Sequence, residues 1–214
     1  MKSVFAKLLA GLILAILSCG LLAGAEEARP DPKPLYQKGG GFAPDERVLY
    51  KKAFGKKEEV AEELHLEFFY PEGFAKTDSR PCIVFFFGGG WTGGQTSQFY
   101  PQSEYLASRG MVAICAQYRR SLKAAKPVWC VEDARSSVRY LRKRAPELGL
   151  DPKHIAAGGG SAGGHLAAAT ATISAFDCKD DDLSVSAVPN ALVLFNPVFD
   201  NSPKGYGHNR LGED

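Results

Sequence analysis

Residues 154–166 read His-Ile-Ala-Ala-Gly-Gly-Gly-Ser-Ala-Gly-Gly-His-Leu, and this stretch decides the fold. Its first four residues predict a short strand, and the alanine-rich run from 165 to 175 favours a helix. Between them, Gly159 to Gly163 match G-x-S-x-G, a pattern whose serine sits on a sharp strand-to-helix turn. Such a turn forces Ser161 into a strained backbone conformation and exposes its hydroxyl above the sheet.

Two features of this turn suit nucleophilic chemistry. The glycines two residues before and after Ser161 keep the strand and the helix from clashing. The helix that follows presents free N–H groups, so the N–H of Ala162 can point at a developing oxyanion. Two alternatives stay open: a serine that merely caps the helix, and a phosphate-binding loop. A phosphate-binding loop would need either G-x-G-x-x-G followed by a suitable acid or G-K-[ST], and this sequence has neither pattern here.

A second glycine-rich segment, Phe87-Gly88-Gly89-Gly90-Trp91, follows another apolar run, 82–87. A continuous apolar run of this length predicts a strand covered on both faces of its sheet. Bare glycines let backbone N–H groups approach a substrate oxygen, as in the loop that supplies further oxyanion donors beside a nucleophile elbow. The two glycine segments stand in the order that this arrangement requires.

The rest of the chain alternates between predicted strands and helices, which implies an α/β fold: a mostly parallel sheet with helices on both faces. The predicted strands are 47–51, 64–70, 82–87, 111–118, 154–157 and 191–195. The predicted helices are 98–108, the amphipathic stretch 131–143, and 165–175. Residues 26–46, rich in proline and glycine, are predicted to form an extended N-terminal segment before a domain covering 47–214.

Four segments carry a resemblance to a known family. They are Phe86 to Trp91, Ala116-Gln117-Tyr118-Arg119, Asp133-Ala134-Arg135 leading into Tyr140-Leu141-Arg142, and Gly158 to Leu166. In these segments the sequence resembles the α/β-hydrolase superfamily, and within it the hormone-sensitive-lipase-like esterases and lipases of the secreted carboxylesterase type. One position departs from the family pattern, because Phe87 stands where the family usually has a histidine.

The resemblance implies a serine-dependent hydrolase of carboxylic esters that works through an acyl-enzyme intermediate. Ser161 would be the nucleophile, and Gly88, Gly89 and Ala162 would contribute the oxyanion hole. Two alternatives from other classes stay open. One is a catalytically inactive, hydrolase-like binding module. The other, less favoured, is a serine peptidase of the same fold.

A serine nucleophile also needs a base and an acid, which this fold places later in the chain in the order Ser, Asp or Glu, His. After Ser161 the sequence offers only His165 and His208. His165 is one helical turn on and is predicted to pack near the elbow. Asp200 and His208 keep the formal order, but no predicted strand positions His208. We therefore expect a C-terminally truncated hydrolase that lacks its last strands, its acid and its base.

Charge and composition limit the classes of binding partner that are expected. The chain of 214 residues has 26 Lys+Arg against 24 Asp+Glu, a balance that disfavours nucleic acid and a polybasic membrane anchor. No Cys/His spacing resembles a metal site, and no cofactor is expected. The expected substrates are short-chain acyl or acetyl esters, free or linked to polysaccharide. The oligomeric state cannot be predicted.

The N-terminus predicts export. Residues 1–25 combine early lysines, an apolar run and Ala23-Gly24-Ala25, as in a cleaved signal peptide. The expected location is therefore periplasmic or extracellular, with lipid attachment at Cys19 as the alternative. In an oxidising compartment Cys130 and Cys178 are the plausible disulfide partners, because Cys82 and Cys115 lie in apolar strands.

Overall fold

The computed structural model describes residues 41–53, 62–120, 127–206 and His208. The predicted signal peptide, Cys19 and residues 26–40 of the extended segment lie outside these residues. In the described part of the chain, no helix is both long and apolar enough to cross a bilayer.

Six strands and three α-helices organise the described residues. The strands are β1 (Glu46–Ala53), β2 (Glu62–Phe69), β3 (Arg80–Phe86), β4 (Val112–Ala116), β5 (Leu150–Gly160) and β6 (Ala191–Phe195). The helices are α1 (Tyr100–Ala107), α2 (Pro127–Lys143) and α3 (Ala162–Thr172), and short 3-10 turns cover Thr96–Phe99 and Ala145–Glu147.

The strands form one sheet in the order β1-β2-β4-β3-β5-β6. Strands β4, β3, β5 and β6 run parallel to one another, whereas β1 and β2 form an antiparallel pair joined antiparallel to β4. This mixed, mainly parallel sheet confirms the predicted α/β class. Because the carboxyl ends of parallel strands meet at one edge, the segments after β3 and β5 become neighbours.

Strand β3 shows that both faces of the sheet are covered. Its residues Cys82, Val84 and Phe86 pack into one core cluster with residues of α2 and α3. The intervening Ile83 and Phe85 pack into a second cluster that includes Ala107 of α1. Successive strand residues point to opposite faces, so the continuous apolar run 82–86 fills two cores at once.

Most predicted boundaries shift by one to four residues, and the two shifts beside Ser161 matter for the site. Strand β5 was predicted as 154–157, but it begins at Leu150 and continues through the glycines to Gly160. Its glycines pair with both neighbours, as in Phe86 with Gly159 on one side and Phe195 with Gly160 on the other. Helix α3 begins at Ala162 rather than at 165. The strand therefore leads into the helix across the single residue Ser161.

Cys130 and Cys178, the plausible disulfide partners, are both free thiols in this structure. The Cys130 thiol is buried and donates to the carbonyl oxygen of Arg119 at 3.2 Å. Burial raises the pKa of Cys130 to about 12, so the group stays a protonated, unreactive thiol at neutral pH. Cys82 and Cys115 are likewise free and buried, as predicted.

Candidate active site

Ser161 has the backbone geometry that the G-x-S-x-G pattern predicts. Its φ of 53° and ψ of −121° place a non-glycine residue in a sparsely populated region. Backbone hydrogen bonds hold it there: the Ser161 N–H donates to Phe195 O at 3.0 Å, and Val198 N–H donates to Ser161 O at 3.3 Å. The end of β6 thus fixes the strained turn from the neighbouring strand.

The flanking glycines are explained by close backbone contacts. A Cβ added at Gly159 would lie 2.5 Å from Phe86 O, and one added at Gly163 would lie 2.0 Å from the same oxygen. Both distances are shorter than any real contact, so strand β5 and helix α3 approach β3 only because these positions carry no side chain. The pattern in the sequence therefore reports a packing requirement.

Ser161 occupies the N-cap position of α3 but does not cap it. Its side chain makes no hydrogen bond to the first turn of the helix, so the capping alternative is wrong. Among the described residues, no hydrogen-bond partner of the Ser161 hydroxyl is found. A half-buried hydroxyl with unused hydrogen-bonding capacity suits a nucleophile better than a structural residue.

The glycine loop after β3 lies against this turn. A Cβ on Gly88 would come within 2.9 Å of Gly160 O and 3.3 Å of the Ser161 Cβ atom. Gly89 has a φ of 136°, which other residues rarely adopt. The sheet therefore brings together Gly88, Gly89, Ser161 and Ala162, the residues that the sequence assigned to the site.

Gly88 requires a correction. Its N–H donates to Gln98 Oε1 at 2.7 Å, so this N–H is already used and does not serve as a free oxyanion donor. No acceptor for the N–H groups of Gly89 and Ala162 lies among the residues described. The candidate oxyanion donors are thus reduced to Gly89 and Ala162.

Phe87 anchors the start of the loop through an aromatic contact. Its ring stacks on Tyr118, with centroids 4.2 Å apart and planes 17° from parallel. The Tyr118 hydroxyl donates to Phe87 O at 2.7 Å, which holds the last peptide before the glycines. Tyr118 belongs to a segment that carries the family resemblance, although its role was not predicted.

The segment that bears Tyr118 is held by a buried ion pair. The Asp133 carboxylate, fully buried on α2, accepts from Arg119 N at 3.0 Å and Arg119 Nε at 2.8 Å. Lys51 of β1 adds a further contact, 2.8 Å from Nζ to Asp133 Oδ1. Buried charges need such pairing, and here it fixes the chain directly after β4 beside the glycine loop.

His165 packs beside the elbow, as predicted, and is committed to another residue. Its Nδ1 accepts from the Trp91 indole Nε1 at 3.3 Å, and the two rings meet edge to face. Burial lowers the pKa of His165, so the ring is neutral and acts as an acceptor. Trp91 is itself buried, which makes this pair a brace between the loop and α3.

The other three histidines make no contact with Ser161 among the described residues. His154 Nδ1 lies 2.7 Å from Asp151 Oδ2 on β5, and His65 lies on β2 against the Glu63 carbonyl oxygen. His208 is exposed. Asp200 accepts from Ser202 N at 2.9 Å. The structure therefore does not assemble the formal triad of Ser161, Asp200 and His208.

Within the described residues, no group of three His, Cys, Asp or Glu side chains is placed to hold a metal ion.

A strained serine between a parallel strand and a helix, beside a glycine loop at the same sheet edge, defines an α/β-hydrolase fold. Matches to known proteins support the hormone-sensitive-lipase-like esterase superfamily within it. The family model BD-FAE matches residues 66–200. The chain belongs to the BD-FAE family.

Proteins of known sequence and structure agree with this assignment. An AB hydrolase superfamily protein of Schizosaccharomyces pombe is 33% identical over 101 residues, which cover 47% of this chain and 29% of that protein. The probable carboxylic ester hydrolase LipM of Mycobacterium tuberculosis is 32% identical over 108 residues, 50% of this chain and 25% of that protein. The apo form of Thermogutta terrifontis esterase 2 is 41% identical with a TM-score of 0.72, over 84% of this chain and 66% of that chain.

These matches cover only part of the related proteins. The chain matches less than a third of the length of the two curated relatives and about two thirds of the solved esterase. The family and the fold follow from them directly.

Proposed function

We propose that this protein hydrolyses carboxylic esters through an acyl-enzyme intermediate on Ser161. The observation that carries the proposal is the turn at Ser161, where a φ of 53° presents a hydroxyl without a hydrogen-bond partner in the described structure. Packing and backbone bonds maintain this unfavourable conformation, and strain of this kind is concentrated at functional sites. The names of the related esterases and carboxylic ester hydrolases support the same reaction.

The proposed roles follow from the geometry. Ser161 Oγ attacks the ester carbonyl carbon, and the carbonyl oxygen gains negative charge as the tetrahedral intermediate forms. The N–H groups of Ala162, at the start of α3, and of Gly89, in the glycine loop, are proposed to donate to this oxygen. The alcohol then leaves, and water releases the acid from the acyl-enzyme.

The proton of Ser161 must pass to a general base, which no described hydrogen bond of the serine identifies. His165 is an unsuitable candidate because its Nδ1 is engaged by Trp91. The activity assay must therefore compare the 214-residue chain with a version extended through the downstream reading frame of its gene.

The proposed substrates are esters of short acyl groups. Structures of Thermogutta terrifontis esterase 2, 45% identical to this chain, have been solved with propionate and with butyrate bound. Both ligands are the acids that short-chain esters would release. An acetyl ester on an extracellular polysaccharide is the finer form of this proposal, and it depends on export through residues 1–25.

Hydrolysis of p-nitrophenyl acetate and p-nitrophenyl butyrate tests the proposal. We expect the extended protein to hydrolyse both esters, and Ser161→Ala to lower that rate by at least about a thousandfold, because the nucleophile is removed. His208→Ala should leave the rate unchanged. If the short and extended proteins both lack Ser161-dependent turnover, the esterase proposal is wrong.

A second candidate function is a hydrolase-like binding module. The observation that favours it is that, among the described residues, no side chain that could act as a base is hydrogen-bonded to the Ser161 hydroxyl. This alternative predicts that Ser161→Ala leaves the affinity for a short-chain ester unchanged and that no release of p-nitrophenolate depends on Ser161. Ser161-dependent turnover would refute it.

A further inference from the structure

The side chain of Gln98 makes two hydrogen bonds to one residue of the glycine loop. Gly88 N–H donates to Gln98 Oε1 at 2.7 Å, and Gln98 Nε2 donates to Gly88 O at 3.3 Å. The orientation of the amide follows from chemistry, since a backbone N–H can only donate and a carbonyl oxygen can only accept. Gln98 thus holds both peptide groups that meet at Gly88.

The second of these bonds fixes the direction of a candidate oxyanion donor. The carbonyl oxygen of Gly88 and the N–H of Gly89 belong to the same peptide group, and no peptide bond among the described residues is cis. In a planar trans peptide the two groups point in opposite directions. Holding Gly88 O towards Gln98 therefore aims Gly89 N–H away from Gln98.

The loop needs such a restraint because its own residues supply little. Gly88, Gly89 and Gly90 have no side chains, so rotation of a peptide plane in this run meets few steric barriers. The next carbonyl, Gly89 O, is held by backbone bonds from Thr92 N at 3.2 Å and Gly93 N at 3.0 Å. The Gly88–Gly89 peptide, in contrast, is held through its carbonyl by Gln98.

The position of Gln98 is itself well fixed. It lies in the short helical turn Thr96–Phe99, whose first and last residues are buried. Phe99 stacks on Phe85 of β3, with ring centroids 4.8 Å apart. The segment that bears Gln98 therefore packs on β3, the strand that leads into the glycine loop.

We propose that Gln98 is a positioning residue for ester hydrolysis, which keeps the Gly88–Gly89 peptide turned so that Gly89 N–H faces the oxyanion. This inference rests on the proposed esterase function. Gln98 touches neither the substrate nor Ser161 in this account and acts only through the loop.

Two variants separate the two hydrogen bonds. Gln98→Ala removes both. Gln98→Glu keeps an acceptor for Gly88 N–H but loses the donor to Gly88 O. Gln95→Ala is the matched control, because Gln95 is an exposed glutamine of the same segment whose side chain does not cap the turn.

The kinetic test uses p-nitrophenyl acetate. We expect Gln98→Ala and Gln98→Glu each to lower kcat by about tenfold to a hundredfold, less than the loss of an oxyanion donor outright, with KM changed less than about twofold. A trifluoromethyl ketone forms a tetrahedral adduct with serine. Its affinity for each Gln98 variant should fall by the same factor as kcat/KM. Gln95→Ala should match the wild type in every measurement. Wild-type kcat in Gln98→Glu would overturn the proposal, as would a change confined to KM.

Amide hydrogen exchange provides a readout that does not need activity. Exchange of Gly88 N–H should accelerate in Gln98→Ala and stay slow in Gln98→Glu. Unchanged exchange in Gln98→Ala would overturn the proposal even if the wild type proves inactive. Absence of Ser161-dependent turnover in both the 214-residue and the extended protein would instead refute the esterase function, so the two failures are distinguishable.

Discussion

Gly160 directly precedes Ser161, yet its lack of a side chain is not what the turn requires. A Cβ at this position would meet Phe99 Cζ at 3.5 Å and Phe195 O at 3.8 Å, which are ordinary contacts. At Gly163 the nearest atom, Phe86 O, would be 2.0 Å away. Gly160 and Gly163 therefore differ in what each contributes to the turn.

This difference predicts opposite outcomes for two similar substitutions. Gly163→Ala should destabilise the fold by about 1–3 kcal/mol or prevent folding, because backbone atoms of β3 and α3 must separate. Gly160→Ala should change stability by less than about 0.5 kcal/mol. Urea denaturation followed by circular dichroism measures both. Equal stability of the two variants would show that the close approach at Gly163 is not a real constraint.

The site residues differ in how far the sequence predicts them. Ser161, Ala162 and Gly89 follow from the G-x-S-x-G and triple-glycine patterns, whose chemistry depends on local backbone geometry. Gln98 has no such signal, because a glutamine in a polar loop is compatible with many structures. Its hydrogen bond to Gly88 N–H, which removes that group from the oxyanion candidates, depends on a tertiary contact.

At the scale of elements, helix α2 fixes the segment that follows α3. Three of its arginines form ion pairs or hydrogen bonds with this segment. Arg135 and Arg139 both bind the Asp177 carboxylate, the second at 2.7 Å from Nη1. Arg142 Nη2 donates to Val188 O at 2.9 Å. The path of the chain from α3 back to β6 is thus held by ion pairs and carbonyl contacts.

Asp177 is predicted to give this connection a pH-dependent stability. Partial burial raises its pKa, but hydrogen bonds from Arg139 and Arg135 outweigh that effect and lower the pKa to about 2. The unfolded chain, with a carboxyl pKa near 3.8, therefore takes up the proton first as the pH falls. The stabilisation is complete above pH 5 and is lost as the pH falls from about 4 towards 2.

Asp177→Asn should lower the free energy of unfolding by about 2 kcal/mol at pH 7, because two arginines with buried side chains lose a charged partner. The difference in the free energy of unfolding between Asp177→Asn and the wild type should become steadily smaller below pH 4. Asp182→Asn, which removes an exposed pair with Lys143, is the control and should have little effect. A difference between wild type and Asp177→Asn that is constant from pH 7 to pH 3 would contradict the assigned role.

Strand and helix positions were largely predictable from sequence, whereas their pairing was not. Strand β6 has the predicted bounds, 191–195, and the apolar stripe of α2 is buried at Val131, Ala134, Val138 and Leu141. The C-terminal extension of strand β5 through Gly160 was not predicted because glycines have no side-chain periodicity to read. The antiparallel pairing of β1 and β2 depends on long-range register that no local pattern specifies.

At the scale of the whole protein, the predicted export through residues 1–25 is a proposal outside the described residues. N-terminal sequencing of protein recovered from a secreting host tests it, and a mature chain starting at Glu26 is the expected result. A lipid-modified N-terminus at Cys19, abolished by Cys19→Ala, would support the lipid-anchored alternative instead. An unprocessed Met1 would contradict both.

Covalent capture by an organophosphate shows whether Ser161 is the nucleophile of the proposed esterase. Thermogutta terrifontis esterase 2 has been solved as its paraoxon-phosphorylated form, 42% identical to this chain. We expect paraoxon to phosphorylate this protein once, on the peptide that contains Ser161, with release of one p-nitrophenolate. Peptide mass spectrometry should find no adduct in Ser161→Ala. If the 214-residue and the extended protein both stay unlabelled, or if Ser161→Ala is labelled equally, Ser161 is not the nucleophile.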